Sequence, residues 1–532
     1  MEDNQLDGAR NMGAGKLIIR PEKARLIDVL SLLLPRRPIT SYAFVEAGDH
    51  TAAELGSTPG DWAVALTVAI QKILAAIYWP ARWLGIAVEF LLNFVALNSG
   101  ILGIIWNIFR CKLVIPLDRE AADFRTIIGM IDGRTELKPA PVSPNCCDEQ
   151  GLLEVRISSC MATEECIVDV ENGECHSAKV PLIKEQYSIA EVTVMAAKIA
   201  YENEAYIKNV VNNIWKFHFV GFYSFWNKFI GKGGAYTTQA FVMTERASDA
   251  RFVVVSFRGT EPFDMQDWST DVNLSWLGLG AMGHVHVGFL KALGLQEEDD
   301  KDAGRAFPRD APKSAGKQQP VAYYKLRDVL RAHPNARVIV TGHSLGGALA
   351  AIFPALLAFH GECDILGRLL AVHTYGQPRV GDDAFAEFCR KKVAPAAGAA
   401  DPGPRVVYRY DLVPRVPFDA PPIARFRHGG ECVYYDGWYA GRVIDDGGDV
   451  PDRNYFNPKY LASKYGNAVG DLVKGAFLWL KEGRGYREGL VSLLYRALGL
   501  IVPGVASHSP RDYVNAVRLG RVAVAAAKVA GD

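Results

Sequence analysis

The segment Arg337–Phe359, RVIVTGHSLGGALAAIFPALLAF, constrains the fold more than any other part of the chain. A β-branched run gives way at Gly342 to a glycine-rich turn, and a run rich in alanine and leucine follows. The first part suits a buried strand and the last a buried helix. Ser344 sits at the turn, with Gly342 and Gly346 two residues to either side. Glycines so placed let backbones approach where a side chain would collide. The spacing predicts a strand that stops abruptly, a strained turn, and a helix whose N-terminal amides favour negative charge beside the serine. A serine held that way becomes a nucleophile once a base takes its proton. The alternative is a plain glycine-rich connection.

Strand-like and helical runs alternate from about Thr237 onward. RFVVVSF ends at Phe257, RLLAVHTYG at Gly376, and RVVYRYD at Asp411. This alternation predicts an α/β fold with a mainly parallel central sheet. A nucleophilic serine in such a fold needs an acid and then a base later in the chain. Asp411 stands where an apolar strand meets a proline-rich turn and is the preferred acid. Asp382 and Asp383 read better as a helix cap, and Asp401 as part of a loop. Two histidines follow Asp411, namely His428 and His508; the late loop histidine, His508, is the preferred base. His343 reads as structural support beside the turn, its side chain sent away from that of Ser344, and His373 as a core residue within a strand.

The first half of the chain has a different character. WAVALTVAIQKILAAIYW and WLGIAVEFLLNFVALNSGILGIIWNIF flank Pro80, and the second run is long enough to cross a bilayer core of about 30 Å. Trp83 and Trp106 lie near its ends, with Arg82, Arg110 and Lys112 outside them. Residues 61–112 are therefore expected to be an apolar helical region associating with a membrane or lipid droplet, by spanning it or dipping into it. A buried helical hairpin is the alternative. A polar segment, 1–60, precedes it and a linker and helical region, 113–235, follows. The α/β domain is expected over 236–532, with insertions at about 296–320 and 436–505. The second insertion is apolar with scattered lysine and arginine, and both core packing and lipid contact suit it. The chain opens without an apolar leader or transit-like composition.

Lys plus Arg and Asp plus Glu balance at 59 each, which argues against nucleic acid as a partner. Nine cysteines, five of them between Cys146 and Cys175, follow no usual zinc spacing and read as free thiols. GAGKL, from Gly13, lacks the hydroxyl residue and preceding strand of a phosphate loop.

VVVSFRGTEPFDMQDWSTDVN, VHVGF, VTGHSLGGALA, TYGQPRVGD, YRYDLVPRVP and SHSPRDY together closely resemble the class 3 lipases, a branch of the α/β-hydrolases. The likeness covers about Tyr236 to Val517, and the remainder looks like the plant oil-body lipases of the castor-bean acid lipase type. The resemblance implies Ser344 as nucleophile, Asp411 as acid and His508 as base. It also implies an oxyanion hole from the amides of Leu345 and Thr260, and a lid over Glu261 to Asp271. HGG at His428 imitates the oxyanion motif of another lipase branch but follows the acid. A serine, Ser507, stands where many relatives carry an aspartate before the base. The implied activity is hydrolysis of triacylglycerol, and of di- and monoacylglycerol, needing no metal or organic cofactor. The expected place is an oil-body surface or a cytosol-facing membrane, with the endoplasmic reticulum as alternative. Phospholipase A1 or galactolipase action on bilayer lipids is a competing reading, and an idle lipid-binding scaffold another.

Overall fold

The computed structural model describes residues 15–34, 37–140, 154–156, 164–168, 175–179, 183–184, 186–230, 233–298, 302–312, 319–393, 403–444, 450 and 455–523. Asp401 and the start of GAGKL lie outside these residues, and of the cysteine cluster only the backbone of Cys166 and Cys175 lies within them.

Helix α1 (Trp62–Leu97) runs 36 residues without a break, straight through Pro80. Asp61 opens it by accepting the Ala63 amide at 2.6 Å. The turn expected at the proline comes instead at Asn98–Gly100, where Ser99 and Gly100 have φ of 61° and 90°. The Asn98 side chain closes that turn, donating to the carbonyls of Phe94 (2.8 Å) and Val114 (2.7 Å). Helix α2 (Gly100–Phe109) then leaves with no buried residue. Among the described residues α1 is the one helix long and apolar enough to cross a membrane, by length and composition. Its first half is not free, however. Ala63, Val64 and Val68 are fully buried in a core shared with a small antiparallel sheet. That sheet joins Lys16–Ile19 to Val45–Ala47 on one side and to Trp276–Gly278 on the other, with His284–His286 at its edge. The short helix α3 (Ile127–Ile131) packs near the second half of α1.

A ten-stranded sheet carries the rest. Its strands are β1 (Glu154–Arg156), β2 (His218–Asn227), β3 (Ala235–Thr244), β4 (Phe252–Phe257), β5 (Arg337–His343), β6 (Leu369–Tyr375), β7 (Arg405–Tyr408), β8 (Cys432–Tyr435), β9 (Ala440–Ile444) and β10 (Arg521–Ala523). Their spatial order is β1-β10-β9-β8-β7-β6-β5-β4-β3-β2. From β4 to β8 every pairing is parallel, as is β9 with β10. The β2–β3, β3–β4, β8–β9 and β10–β1 pairings are antiparallel. The sheet is thus mixed, and the parallel arrangement expected from the strand–helix alternation describes its centre.

Helices cover both faces of that centre, which explains its unbroken apolar runs. Along β5, Val338 and Val340 enter one core and Ile339 the other. Helix α4 (Ile189–Ile199), buried along its whole length, lies under the second face. Both α4 and β2 precede residue 236, the expected start of the α/β domain, and pack in or on the same sheet. Helix α5 (Met265–Asp271) follows β4 and rests on α1. Helix α6 (Leu345–Phe359) leaves β5 and fills the first face. Between β9 and β10 come a helical hairpin, α7 (Leu461–Glu482) and α8 (Leu490–Leu498), and then α9 (Pro510–Leu519).

Candidate active site

Ser344 joins β5 directly to α6 with φ 59° and ψ −133°, a backbone conformation that costs about 1–3 kcal/mol and persists where the surroundings enforce it. Here they do. A Cβ on Gly342 would lie 2.2 Å from the Gly346 carbonyl, and one on Gly346 would lie 2.3 Å from the Phe257 oxygen. The Ser344 amide donates to the Tyr375 carbonyl at 2.9 Å, pinning the turn to β6. Any larger residue at either glycine would push α6 away from the ends of β5 and β4.

Asp411 lies just past β7 and is completely buried. One carboxylate oxygen, Oδ1, accepts the Val413 amide at 2.8 Å. The other, Oδ2, lies 2.7 Å from His508 Nδ1 and accepts the Tyr513 hydroxyl at 2.5 Å. Three donors on one buried carboxylate compensate its loss of water. His508 occupies a one-turn 3-10 helix, Ala506–His508, just before α9. With Nδ1 held by the carboxylate, His508 Nε2 is the nitrogen left to act as a base. Ser344 Oγ and His508 Nε2 are both buried with no hydrogen-bond partner.

His343 also contributes. Its ring centroid is 4.5 Å from that of His508, so the residue read as structural support packs beside that imidazole. Tyr201 holds its Nδ1 at 2.8 Å, and burial, with His508 adding to it, keeps the imidazole uncharged by pushing its pKa well down. A neutral wall against His508 leaves the base unchallenged by a second cation.

The rival residues lie elsewhere. His428 Nε2 meets the Pro414 carbonyl at 2.8 Å, and His373 Nδ1 meets Thr193 Oγ1 at 3.0 Å in the core. Asp382 caps its helix by accepting the Phe385 amide at 2.9 Å, and Asp383 faces Arg427 at 3.3 Å. Tyr513 was not singled out by sequence, although it stands in SHSPRDY, one helical turn beyond the histidine.

Leu345 is the first residue of α6, so its amide has no partner within the helix. Thr260 follows β4 on a loop that passes the elbow closely: a Cβ on Gly259 would lie 2.5 Å from the His343 carbonyl. Its hydroxyl donates to Asp271 Oδ2 at 3.2 Å. Asp271 is fully buried on α5, and burial, aided by the Asp267 carboxylate, raises its pKa well above the usual range.

Over this assembly lies the expected lid, Glu261 to Asp271. Its Trp268 ring centroid is 6.2 Å from that of His508. Ser344 beneath it is only 1% exposed. The cover is clasped from outside by α1. Gln71 donates to the Ser269 carbonyl at 2.9 Å, and a Cβ on Gly85 would fall 2.8 Å from that of Phe263.

An elbow serine on a sheet of this kind, with an imidazole held on a buried carboxylate, places the chain among the α/β-hydrolases. The model of the family Lipase (class 3) matches residues 254–420, spanning β5, the elbow and Asp411. Over nearly its whole length the chain is similar to proteins called triacylglycerol lipase OBL1. The one from Ricinus communis is 35% identical over 537 residues, 97% of either chain. That from Arabidopsis thaliana is 33% identical over 539 residues, 98% of either chain. The Nicotiana tabacum protein is 35% identical over 517 residues, covering 86% of this chain and 83% of its own. The chain belongs to the class 3 lipase family.

Proposed function

We propose that the chain is a triacylglycerol lipase working at the surface of a lipid droplet, with Ser344, Asp411 and His508 as its catalytic triad. The observation that carries this reading is the 2.7 Å contact between His508 and Asp411, 97 residues apart in sequence and brought to the Ser344 elbow. Three near-full-length relatives named for triacylglycerol hydrolysis in plants supply the substrate class.

In the first half-reaction His508 Nε2 takes the Ser344 proton while Oγ attacks the ester carbonyl carbon. The oxygen that becomes negative is met by the amides of Leu345 and Thr260, donors that matter most once charge has developed. The C–O bond to the glyceride breaks, and His508 returns the proton to the departing alcohol, a diacylglycerol. Water then attacks the acyl-enzyme through the same base, releasing a fatty acid and restoring Ser344. Asp411 holds the imidazole tautomer and stabilises the imidazolium without being protonated itself.

Residues 61–112 serve in this reading as the droplet- or membrane-associating region, since their exposed second half offers apolar surface where the substrate phase lies. Release of fatty acid from emulsified triacylglycerol, compared between wild type and Ser344→Ala, tests the proposal. Loss of release in the folded variant supports it. Hydrolysis of phospholipid with none of triacylglycerol would leave the triad and overturn the substrate.

A further inference from the structure

The hairpin α7–α8 is built with its charges inside. Lys464, Asp471, Lys474, Glu488 and Arg496 are each no more than 7% exposed. Lys474 pairs with Asp471 at 2.8 Å. Arg496 donates to Glu488 at 2.7 Å and to Asp512 of α9 at 3.0 Å, tying the hairpin to the helix that follows His508. The outward face is apolar. Along α7, Leu461, Val469, Val473, Phe477 and Leu480 are 49–65% exposed, and on α8 Leu490 and Leu494 are 73% and 60% exposed. Turning the hairpin over would hide this face only by stripping paired charges of their partners, so the buried network dictates which side faces out. A contiguous apolar surface of this kind marks an interaction site.

Its chemistry selects lipid as the occupant. Lys481, Arg484 and Arg487 stand exposed at the tip between the helices, complementary to anionic headgroups. Arg487 lies 5.9 Å from the Trp479 ring, a cation beside an indole as suits the headgroup boundary. The same pairing recurs on the other apolar surface, where Arg82 lies over Trp79 and Arg110 over Trp106. The helices that carry the two surfaces meet in one cluster: Val88 of α1, Phe263 of the cover, and Val491 and Tyr495 of α8 pack against α3 and Tyr201. From α8 the chain reaches the catalytic histidine in ten residues, and Tyr495 donates to the Val505 carbonyl at 2.8 Å on the way.

We propose that the outer face of α7–α8 is a second lipid-contacting surface, lying at the boundary between apolar lipid and headgroups. Together with α1–α2 it seats the catalytic mouth against the phase that holds the substrate. Its purpose rests on the hydrolase reading above, but the binding itself does not.

The test floats full-length protein with triolein droplets coated in phosphatidylcholine, with or without phosphatidic acid. A variant carrying Val469→Gln, Val473→Gln, Phe477→Gln and Leu494→Gln keeps α1 intact and changes only exposed positions. It is expected to bind droplets about tenfold or more weakly and to lose emulsion hydrolysis in step. Cleavage of a water-soluble butyrate ester should stay at the wild-type rate, which also reports that the variant folds. A second variant, Lys481→Gln with Arg484→Gln and Arg487→Gln, should lose the extra binding that phosphatidic acid confers. Droplet binding unchanged in both variants overturns the proposal. So does unchanged droplet binding accompanied by loss of self-association in sedimentation, which would make the face a contact between copies. Hairpin-dependent binding by a chain that cleaves no ester would uphold the surface and refute the hydrolase reading.

Discussion

At Asp411 three hydrogen bonds converge on a carboxylate with no access to water, and the Tyr513 hydroxyl is a side-chain donor that sequence analysis left out. Tyr513→Phe removes a donor to a charged acceptor, an interaction worth about 1.5–3 kcal/mol. Tyr513 is a positioning residue, so kcat should fall about tenfold or more with KM little changed, as initial rates on a soluble ester will show. Asp271 makes a different prediction. In the folded helix burial favours its neutral acid, whereas in an opened α5 the carboxyl ionises near its ordinary value of about 3.9. Opening therefore releases a proton, and raising the pH above about 4 favours it by up to tenfold per unit until the raised folded value is passed. Hydrogen exchange of α5 amides, corrected for intrinsic rates, should thus quicken between pH 5 and 7.5 more than that of α6. Asp271→Asn should reduce that difference, with Asp267 of the same helix, whose pKa burial pushes up to about 8, supplying the rest; an equal response in the two proteins would exclude Asp271 as a source. The strained turn at Ser344 and the pairing of His508 with Asp411 were legible in sequence because chain order and local motifs single those residues out. The partners of Thr260 and His343 were not, since nothing local in the chain says that α5 and Tyr201 come back over the elbow.

Among the elements, α1 and the cover α5 form one mechanical pair. Phe263 packs on Gly85 so closely that Gly85→Val must displace it. The cover should then open more readily, and hydrolysis of a soluble ester without any lipid surface should rise several-fold. A fall that merely tracks the loss in Tm would instead mark the contact as structural. Within the hairpin, Arg496→Ala leaves Glu488 and Asp512 buried without their main cation. Breaking such a pair costs about 3–5 kcal/mol, visible as a lower midpoint in denaturant. Composition pointed to a helical region over residues 61–112 with Pro80 between its two apolar runs, and it made no helix assignment for α7 and α8. Pro80 lies inside α1, and the turn comes instead at Asn98 and the two positive-φ residues after it. Hydropathy could not say that α7 turns Lys474 inward, because that depends on Asp471 and Asp512 lying where the fold puts them.

Across the whole molecule, the apolar region and the catalytic layer are not separable. Ala63, Val64 and Val68 sit in the same core as Trp276 and Phe418, so excising residues 62–109 should abolish soluble-ester cleavage along with droplet binding. Substituting only the exposed Trp79, Trp83 and Leu91 with glutamine should spare the soluble reaction, and the contrast is read by assaying both proteins on the same ester. The strand–helix alternation after residue 237 made the sheet centre legible, whereas α4 and β2 escaped because their partners lie far along the chain. The pairing of Lys16–Ile19 with Trp276–Gly278 carries a further consequence, for birth rather than for catalysis. At roughly 5–20 residues per second a ribosome needs about 15–50 s to make the stretch between them. Helix α1 leaves the exit tunnel early in that interval, greasy and without the covering strands. A nascent chain in that state carries an uncovered apolar helix for most of its synthesis, a species prone to aggregate until the partner strand arrives.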